Sequence, residues 1–190
     1  RVVTGNPSNL MGTLNANGQV YLINPNGIMV GPNATINVGA FTASTLDVDN
    51  DQFMRGGALD FIGDSEASVE NYGDINALGG DVYLIGAHVA NYGNISAPDG
   101  TVGLVAGQHV RLVDSNHPAL VVRPSEKSLG GTGVHNAGTI EALRAELAAA
   151  HGNVYALAIN NEGTVRATAA VEKDGRIYLT GRGGEMLNSG

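Results

Sequence analysis

The sequence predicts an all-β protein, a right-handed parallel β-helix with extra-helical hairpin or loop excursions, and three observations carry that prediction. A glycine-led strand recurs at Gly18-Gln19-Val20-Tyr21-Leu22, Gly80-Asp81-Val82-Tyr83-Leu84, Gly100-Thr101-Val102-Gly103-Leu104, Gly152-Asn153-Val154-Tyr155-Ala156 and Gly175-Arg176-Ile177-Tyr178-Leu179. A second unit, Asn-x-Gly-x-(Ile/Val), starts at Asn71, Asn91, Asn136 and Asn161, and Val69 to Ala77 aligns with Val89 to Ala97 at a spacing of 20. β-rich units of about 20 to 25 residues with no recurrent helix describe a solenoid of stacked strands. Thirdly, 28 of the 190 residues are glycine, about twice the usual share, while there are only 3 Phe and no Trp. Small and β-branched side chains must therefore build a thin core, layer by layer.

Taken in order, residues 1–46 form the first coils. Arg1-Val2-Val3-Thr4 is extended, Gly5 to Asn9 is turn-rich, and Leu10 to Leu14 leads to the turn Asn15-Ala16-Asn17-Gly18. Two apolar runs, Val20 to Ile23 and Ile28 to Val30, flank Asn24-Pro25-Asn26-Gly27. Pro25 pre-sets φ for a tight turn, and Asn26 and Gly27 tolerate the conformations such a turn needs. A two-residue hairpin is the local reading of these four residues; the recurrence of the strand with its glycine favours a coil corner instead. Ala34 to Val38 alternates at period two, as does Phe41 to Leu46, so both are half-buried strands.

Residues 47–68 are acidic and irregular and read as an excursion with one hairpin-like element packed on the body. Regular coils occupy 69–113. Residues 114–133, with His117-Pro118, Arg123-Pro124 and Gly130-Gly131, read as a loop or small strand pair leaving the solenoid. Further coils fill 134–190 and end on the start of another. Within them Glu141 to His151 has strong helix propensity, but its place between two repeat units favours a strand, with a short helix as the alternative. Equivalent residues of successive coils stack about 4.8 Å apart, so Asn71, Asn91, Asn136 and Asn161 are candidates for an asparagine ladder at an inward corner. The glycine two residues after each is expected to supply the backbone conformation of the corner.

Charge and composition exclude several classes. The net charge is −8, and the 10 basic residues are scattered singly, which argues against nucleic acid as a partner. No apolar run approaches the roughly 20 residues that cross a bilayer. With neither a starting Met nor a signal-peptide pattern, the chain reads as a mature protein or a fragment of a longer one. There is no cysteine.

Arg1-Val2-Val3-Thr4 with Ser8-Asn9-Leu10 and Gly12, Asn17 through Ile28 with its Asn-Pro-Asn-Gly, and Gly39 through Asp47 resemble the secretion domain of filamentous haemagglutinin-like proteins, nearest to the high-molecular-weight adhesin branch. The likeness runs at declining strength to about Gly107, and the later Asn-x-Gly-x-Ile coils are similar to that family's repeats. Such proteins are large exoproteins of two-partner secretion. Family members carry a further amino-terminal segment with a cap over the first coil. The resemblance implies a partner, an outer-membrane β-barrel transporter with periplasmic domains, and passage through the periplasm to the cell surface or medium. It also implies a parent protein, an adhesin or haemagglutinin, that binds a host-cell or surface receptor. A chain crossing in extended form gains its free energy by folding outside, where each coil can add to the last. Lacking cysteine, it forms no periplasmic cross-link that would block threading.

Asn24, Pro25, Asn26 and Gly27 therefore have two readings, a motif read by the transporter or a turn required by the first coils, and turn chemistry accounts for all four. Asp47-Val48-Asp49-Asn50-Asp51 has the alternating carboxylates of a calcium loop, but an EF-hand also needs Gly at position six and Glu at position twelve, where Gln52 and Ala58 stand. A solvated loop is expected. His88, His109, His117, His135 and His151 show no paired ligand spacing, so neither metal nor cofactor is expected. The alternative class is a β-helical carbohydrate-binding or polysaccharide-cleaving domain. Asp81 and Asp99 fall beside turns and Lys127 and Lys173 are the only lysines, so no catalytic cluster is marked and a non-enzymatic secretion and folding-template module is favoured.

Overall fold

The computed structural model describes residues 1–113, 119–123, 133–150, 159–167, 176–181 and 186–190. Its strands follow one another around a coil and then step up to the next. Coil one comprises β1 (Ser8–Leu10), β2 (Thr13–Asn15) and β3 (Gln19–Ile23), and coil two β4 (Ile28–Val30), β5 (Thr35–Val38) and β6 (Ala40–Ser44). An excursion follows, with β7 (Asp47–Val48), α1 (Asn50–Arg55) and β8 (Leu59–Ile62). Coil three holds β9 (Ser68–Asn71), β10 (Asp74–Ala77) and β11 (Val82–Gly86); coil four holds β12 (His88–Asn91) and the long β13 (Asn94–Ala106). Then come the excursion strands β14 (His109–Val113) and β15 (Ala119–Arg123), and coil five with β16 (Val134–Asn136) and β17 (Thr139–Ala149). The last strands are β18 (Ile159–Asn161), β19 (Thr164–Ala167), β20 (Arg176–Gly181) and β21 (Met186–Asn188).

Among the described residues, the strand pairings between coils are all parallel. One face stacks β1, β4, β9, β12, β16, β18 and β21 in that order. On the other faces β2, β5, β10, β13, β17 and β19 form one column, and β3, β6, β11, β13, β17 and β20 another. The result is a parallel β-helix. β3 and β4 lie on different faces, so Asn24-Pro25-Asn26-Gly27 is a coil corner and not a hairpin. Glu141 to Ala149 is strand, because its inward residues Ala142, Ala145, Leu147 and Ala149 fill the lumen and override the helix propensity.

Alternation decides which side chains go inside. Ile28, Ile36, Ile75, Ile95 and Ile140, with Val69, Val89 and Val134, stack along the lumen and are essentially inaccessible. On β11 all five residues are buried, although a strand on a solenoid wall has one face outward. The reason is a second sheet, β15-β14-β8-β7, which lies over that wall with antiparallel pairing. Phe61, Leu59, Val48 and Val110 pack there against Tyr83, Ile85, Val105 and Ala148 in a second core outside the lumen.

The excursion at 47–68 also holds a helix that the sequence reading lacked. Asp49 caps α1 by accepting from the Gln52 amide, and Gly56, at φ 70°, ends it. Asp49 followed three residues later by Gln52 is a capping-box pattern, a signal visible beforehand. Asp47 pairs with Arg1 at 2.7 Å, so Asp49 is used for capping and Asp47 for pairing. His117, His151 and the Gly152 to Ala156 strand lie outside the described residues, as do 124–132 of the second excursion.

Asp60 on β8 ties this excursion together. Its carboxylate accepts from Gln52 Nε2 at 3.1 Å, lies 3.2 Å from His109 Nε2, and is 3.8 Å from Arg111. Desolvation works to raise its pKa, but the bonds from Gln52 and His109 and the Arg111 charge outweigh that and lower it. Because the folded-state carboxyl titrates below the unfolded one, its contribution is complete above about pH 4 and is lost as pH falls through the lower folded value. Asp60→Asn should therefore flatten the acid-side fall in stability, measured as the urea midpoint against pH; an unchanged acid limb would remove Asp60 from this role.

Candidate functional site

The corner at Asn24 is built from hydrogen bonds that bind coil one to coil two. Asn24 is fully buried, and its backbone N–H donates to the Ser44 carbonyl at 2.9 Å. Its Nδ2 donates to the Asn6 carbonyl and to Ser8 Oγ, both at 2.9 Å, while Oδ1 accepts from the Asn26 N–H at 2.9 Å and Asn26 Nδ2 at 3.1 Å. The Gly27 N–H closes the turn on the Asn24 carbonyl at 3.1 Å, and its φ of 111° is a conformation that favours glycine. Asn26 Nδ2 also donates to the Thr4 carbonyl at 2.8 Å, and Ser65 Oγ donates to the Pro25 carbonyl at 2.6 Å. Both donors and the acceptor of the Asn24 amide are thus in use, while the side chains of Pro25 and Asn26 face solvent. The partners Asn6, Ser8 and Ser65 carried no signal in the sequence, being distant in the chain.

Asn71, Asn91, Asn136 and Asn161 come together in one buried column. Each Nδ2 donates to the next Oδ1: Asn71 to Asn91 at 2.8 Å, Asn91 to Asn136 at 2.8 Å, Asn136 to Asn161 at 2.7 Å. A fifth member, Asn188, accepts from Asn161 at 2.6 Å. The signal for it was present, since Asn188-Ser189-Gly190 repeats the Asn-x-Gly unit. In the first two coils the same column holds Leu10 and Val30, so the ladder begins at coil three. A second and shorter ladder, missed in the sequence, runs outside the lumen: Asn37 Nδ2 donates to Asn15 Oδ1, and Asn76 Nδ2 to Asn37 Oδ1, each at 3.0 Å.

The expectation for the ladder glycines needs correction. None of Gly73, Gly93, Gly138 and Gly163 has a left-handed φ. What demands glycine is the stacking: a Cβ on Gly93 would overlap the Gly73 carbonyl oxygen, one on Gly138 that of Gly93, and one on Gly163 that of Gly138. Those carbonyls are occupied in turn, accepting from Asn94, Thr139 and Thr164 N–H groups at 2.9 Å each. The corner conformation is available to any residue; the space is not.

Elsewhere the buried ionisable groups are paired for structure. Glu146 is 6% exposed and meets Arg144 at 3.0 Å; burial raises its pKa and Arg144 offsets part of that rise. Asp81 accepts from the Thr101 N–H at 2.7 Å and from the Tyr83 hydroxyl at 3.2 Å. Burial, with Asp81 beside it, pushes the Tyr83 phenol far up, so it stays protonated and donating. Among the described residues no three His, Cys, Asp or Glu side chains are grouped to hold a metal ion, and no helix is long and apolar enough to cross a membrane.

A family model of the TPS secretion domain matches residues 1–190. The chain belongs to that family. This TPS domain is similar to the HMW1 secretion domain from Haemophilus influenzae, whose crystal structure it matches with a TM-score of 0.61 and 29% identity over 95% of this chain and 55% of that one. Two heme/hemopexin-binding proteins of Haemophilus influenzae are each 49% identical to it over 49 residues, 26% of this chain and 5% of the relative. The TPS domain thus spans a small part of the curated relatives it matches. Its family is one of secretion domains and not of enzymes, which makes it the secretion module of a two-partner secretion exoprotein.

Proposed function

We propose that this TPS domain is recognised by an outer-membrane β-barrel transporter with periplasmic domains, crosses that pore extended, and folds outside as the template on which the parent protein's later coils assemble. The parent is an adhesin or haemagglutinin, secreted or held at the cell surface, and its receptor specificity lies in its other domains. The Asn24 corner carries this reading. Residues 1–48 close on themselves through Asn24, Asn26 and the Arg1 contacts to Asp47 and the Val48 carbonyl, so the first segment out can form a seed before the rest arrives. Each later coil then adds to a finished edge, with one folded neighbour supplying every ladder bond.

In this reading Asn24, Pro25, Asn26 and Gly27 act through folding. Asn24→Ala should lower both stability and the amount of protein secreted, whereas Pro25→Ala, at an exposed ring, should leave secretion near the wild-type amount. Loss of secretion in Pro25→Ala with unchanged stability, together with weaker binding of the unfolded chain to the periplasmic domains, would assign the turn to recognition.

Threading itself is tested by a cross-link. Thr35 and Asp74 are register partners on β5 and β10, both pointing outward, a separation a disulfide can span. Thr35→Cys with Asp74→Cys should stall export under oxidising conditions and restore it with reductant. Equal secretion in both would count against extended passage.

A further inference from the structure

Passing from coil three to coil four takes a single residue, Ala87, between β11 and β12, while residues 45–67 are spent between coil two and coil three. The longer route is not needed to climb one step. It leaves an opening where α1 and β8 meet the wall: a cavity of about 300 Å³ lined by Tyr21, Phe53, Leu59, Asp81, Tyr83 and Leu112, among others. A second cavity of about 250 Å³ adjoins it, sharing Gln19, Tyr21, Asp81 and Tyr83 and adding Thr42 and Asp99. We propose that the two form one cleft that binds a neutral saccharide, a role separate from secretion.

The lining selects the ligand class. Tyr21 and Phe53 meet edge to face, with centroids 4.9 Å apart and planes at 86°, so two aromatic surfaces at right angles bound the cleft. Rings of this kind stack against the apolar face of a pyranose, and a few convergent polar groups then fix its orientation. Those groups are the Gln19 amide, which both donates and accepts, the Thr42 hydroxyl, and the carboxylates of Asp81 and Asp99. Carboxylates accept from neighbouring hydroxyls with the lone pairs left over. Among the described residues no Lys, Arg or His lines either cavity, so a phosphorylated, sulfated or uronic ligand would meet the charges of Asp81 and Asp99 with no described cation beside them.

An apolar ligand would strip water from the same two carboxylates and return nothing. A cationic ligand fits less well than a polyol. Both Asp81 oxygens already accept protein donors, Thr101 N–H and the Tyr83 hydroxyl, which spread its charge and hold it in place. Gln19 and Thr42 offer a cation little, whereas hydroxyl groups can use them as donors and acceptors. The wall half of the cleft is rigid, since Thr42 and Tyr83 are buried on paired strands, and the α1 half rests on the capped helix.

The test is binding of the 190-residue chain to an array of neutral, sialylated and uronate-containing oligosaccharides, with the best neutral glycan then titrated in solution. At least one neutral glycan should be retained and the acidic ones should not. Phe53→Ala and Gln19→Ala change exposed residues and should each weaken binding about tenfold, the loss of one good stacking or hydrogen-bonding contact, with the thermal midpoint reporting that the fold is kept. Tyr92→Ala, at the corner that follows β12 and outside both cavities, should bind as the wild type. Retention of acidic glycans only, no retention of any neutral glycan, displacement of the bound glycan by spermidine at low concentration, or full binding by both cleft variants would each overturn the proposal.

Discussion

Gly93→Ala should destabilise the solenoid by about 3 kcal/mol or more, near the top of the range for overpacking a close-packed site. The atoms an alanine Cβ would meet are all backbone, the carbonyl carbon of Tyr72 and the amide nitrogen and carbonyl oxygen of Gly73. No rotamer change can clear them, so the coils must part and weaken the Asn94 N–H bond to Gly73. Gly12→Ala is the control, because a Cβ there has nothing within 4 Å and no left-handed φ to strain. Its stability should stay within about 0.5 kcal/mol of wild type. Urea denaturation of both variants measures the contrast, and equal midpoints would mean that coil stacking does not set the glycine requirement.

Asn91→Ala should cost about 3 kcal/mol by a different route. It leaves Asn71 Nδ2 without its ladder acceptor and Asn136 Oδ1 without its donor, both buried, and each orphaned group costs about 1 to 3 kcal/mol. Asn37→Ala breaks two bonds of similar length in the outer ladder, yet water can reach those groups, so the loss should stay at about 1 kcal/mol or below. Hydrogen exchange should show the Asn91 variant losing protection first at Tyr92, Gly93, Ala137 and Gly138, the amides that bond to the Asn71 and Asn91 carbonyls. Similar costs at Asn91 and Asn37 would deny burial its part.

Repetition made the coil readable, because a parallel β-helix uses one solution many times and the period survives substitution at any one rung. The strand over Thr139–Ala149 shows how repeat context outweighs propensity: its alanines are good helix formers, yet Ala142, Ala145 and Ala149 sit where a thin lumen needs small residues. Asp49 and Gln52 show the opposite case, a local capping signal in a stretch without repeats, where alternating carboxylates also match part of a calcium loop.

By itself the sequence determined the period, the alternation of Ile28, Ile36, Ile75 and Ile95 toward the inside, and the family to which the chain belongs, since each is written in residues near one another. Only the tertiary structure decided why glycine follows each ladder asparagine, what Asn24 holds, and that the β7, β8, β14 and β15 sheet covers one wall. Those depend on residues distant in the chain: Asn24 lies 18 residues from Asn6 and 16 from Ser8, and β14 pairs with β8 from the earlier excursion. A period says which residues stack, but the distance of closest approach is set by the backbone of the coil below.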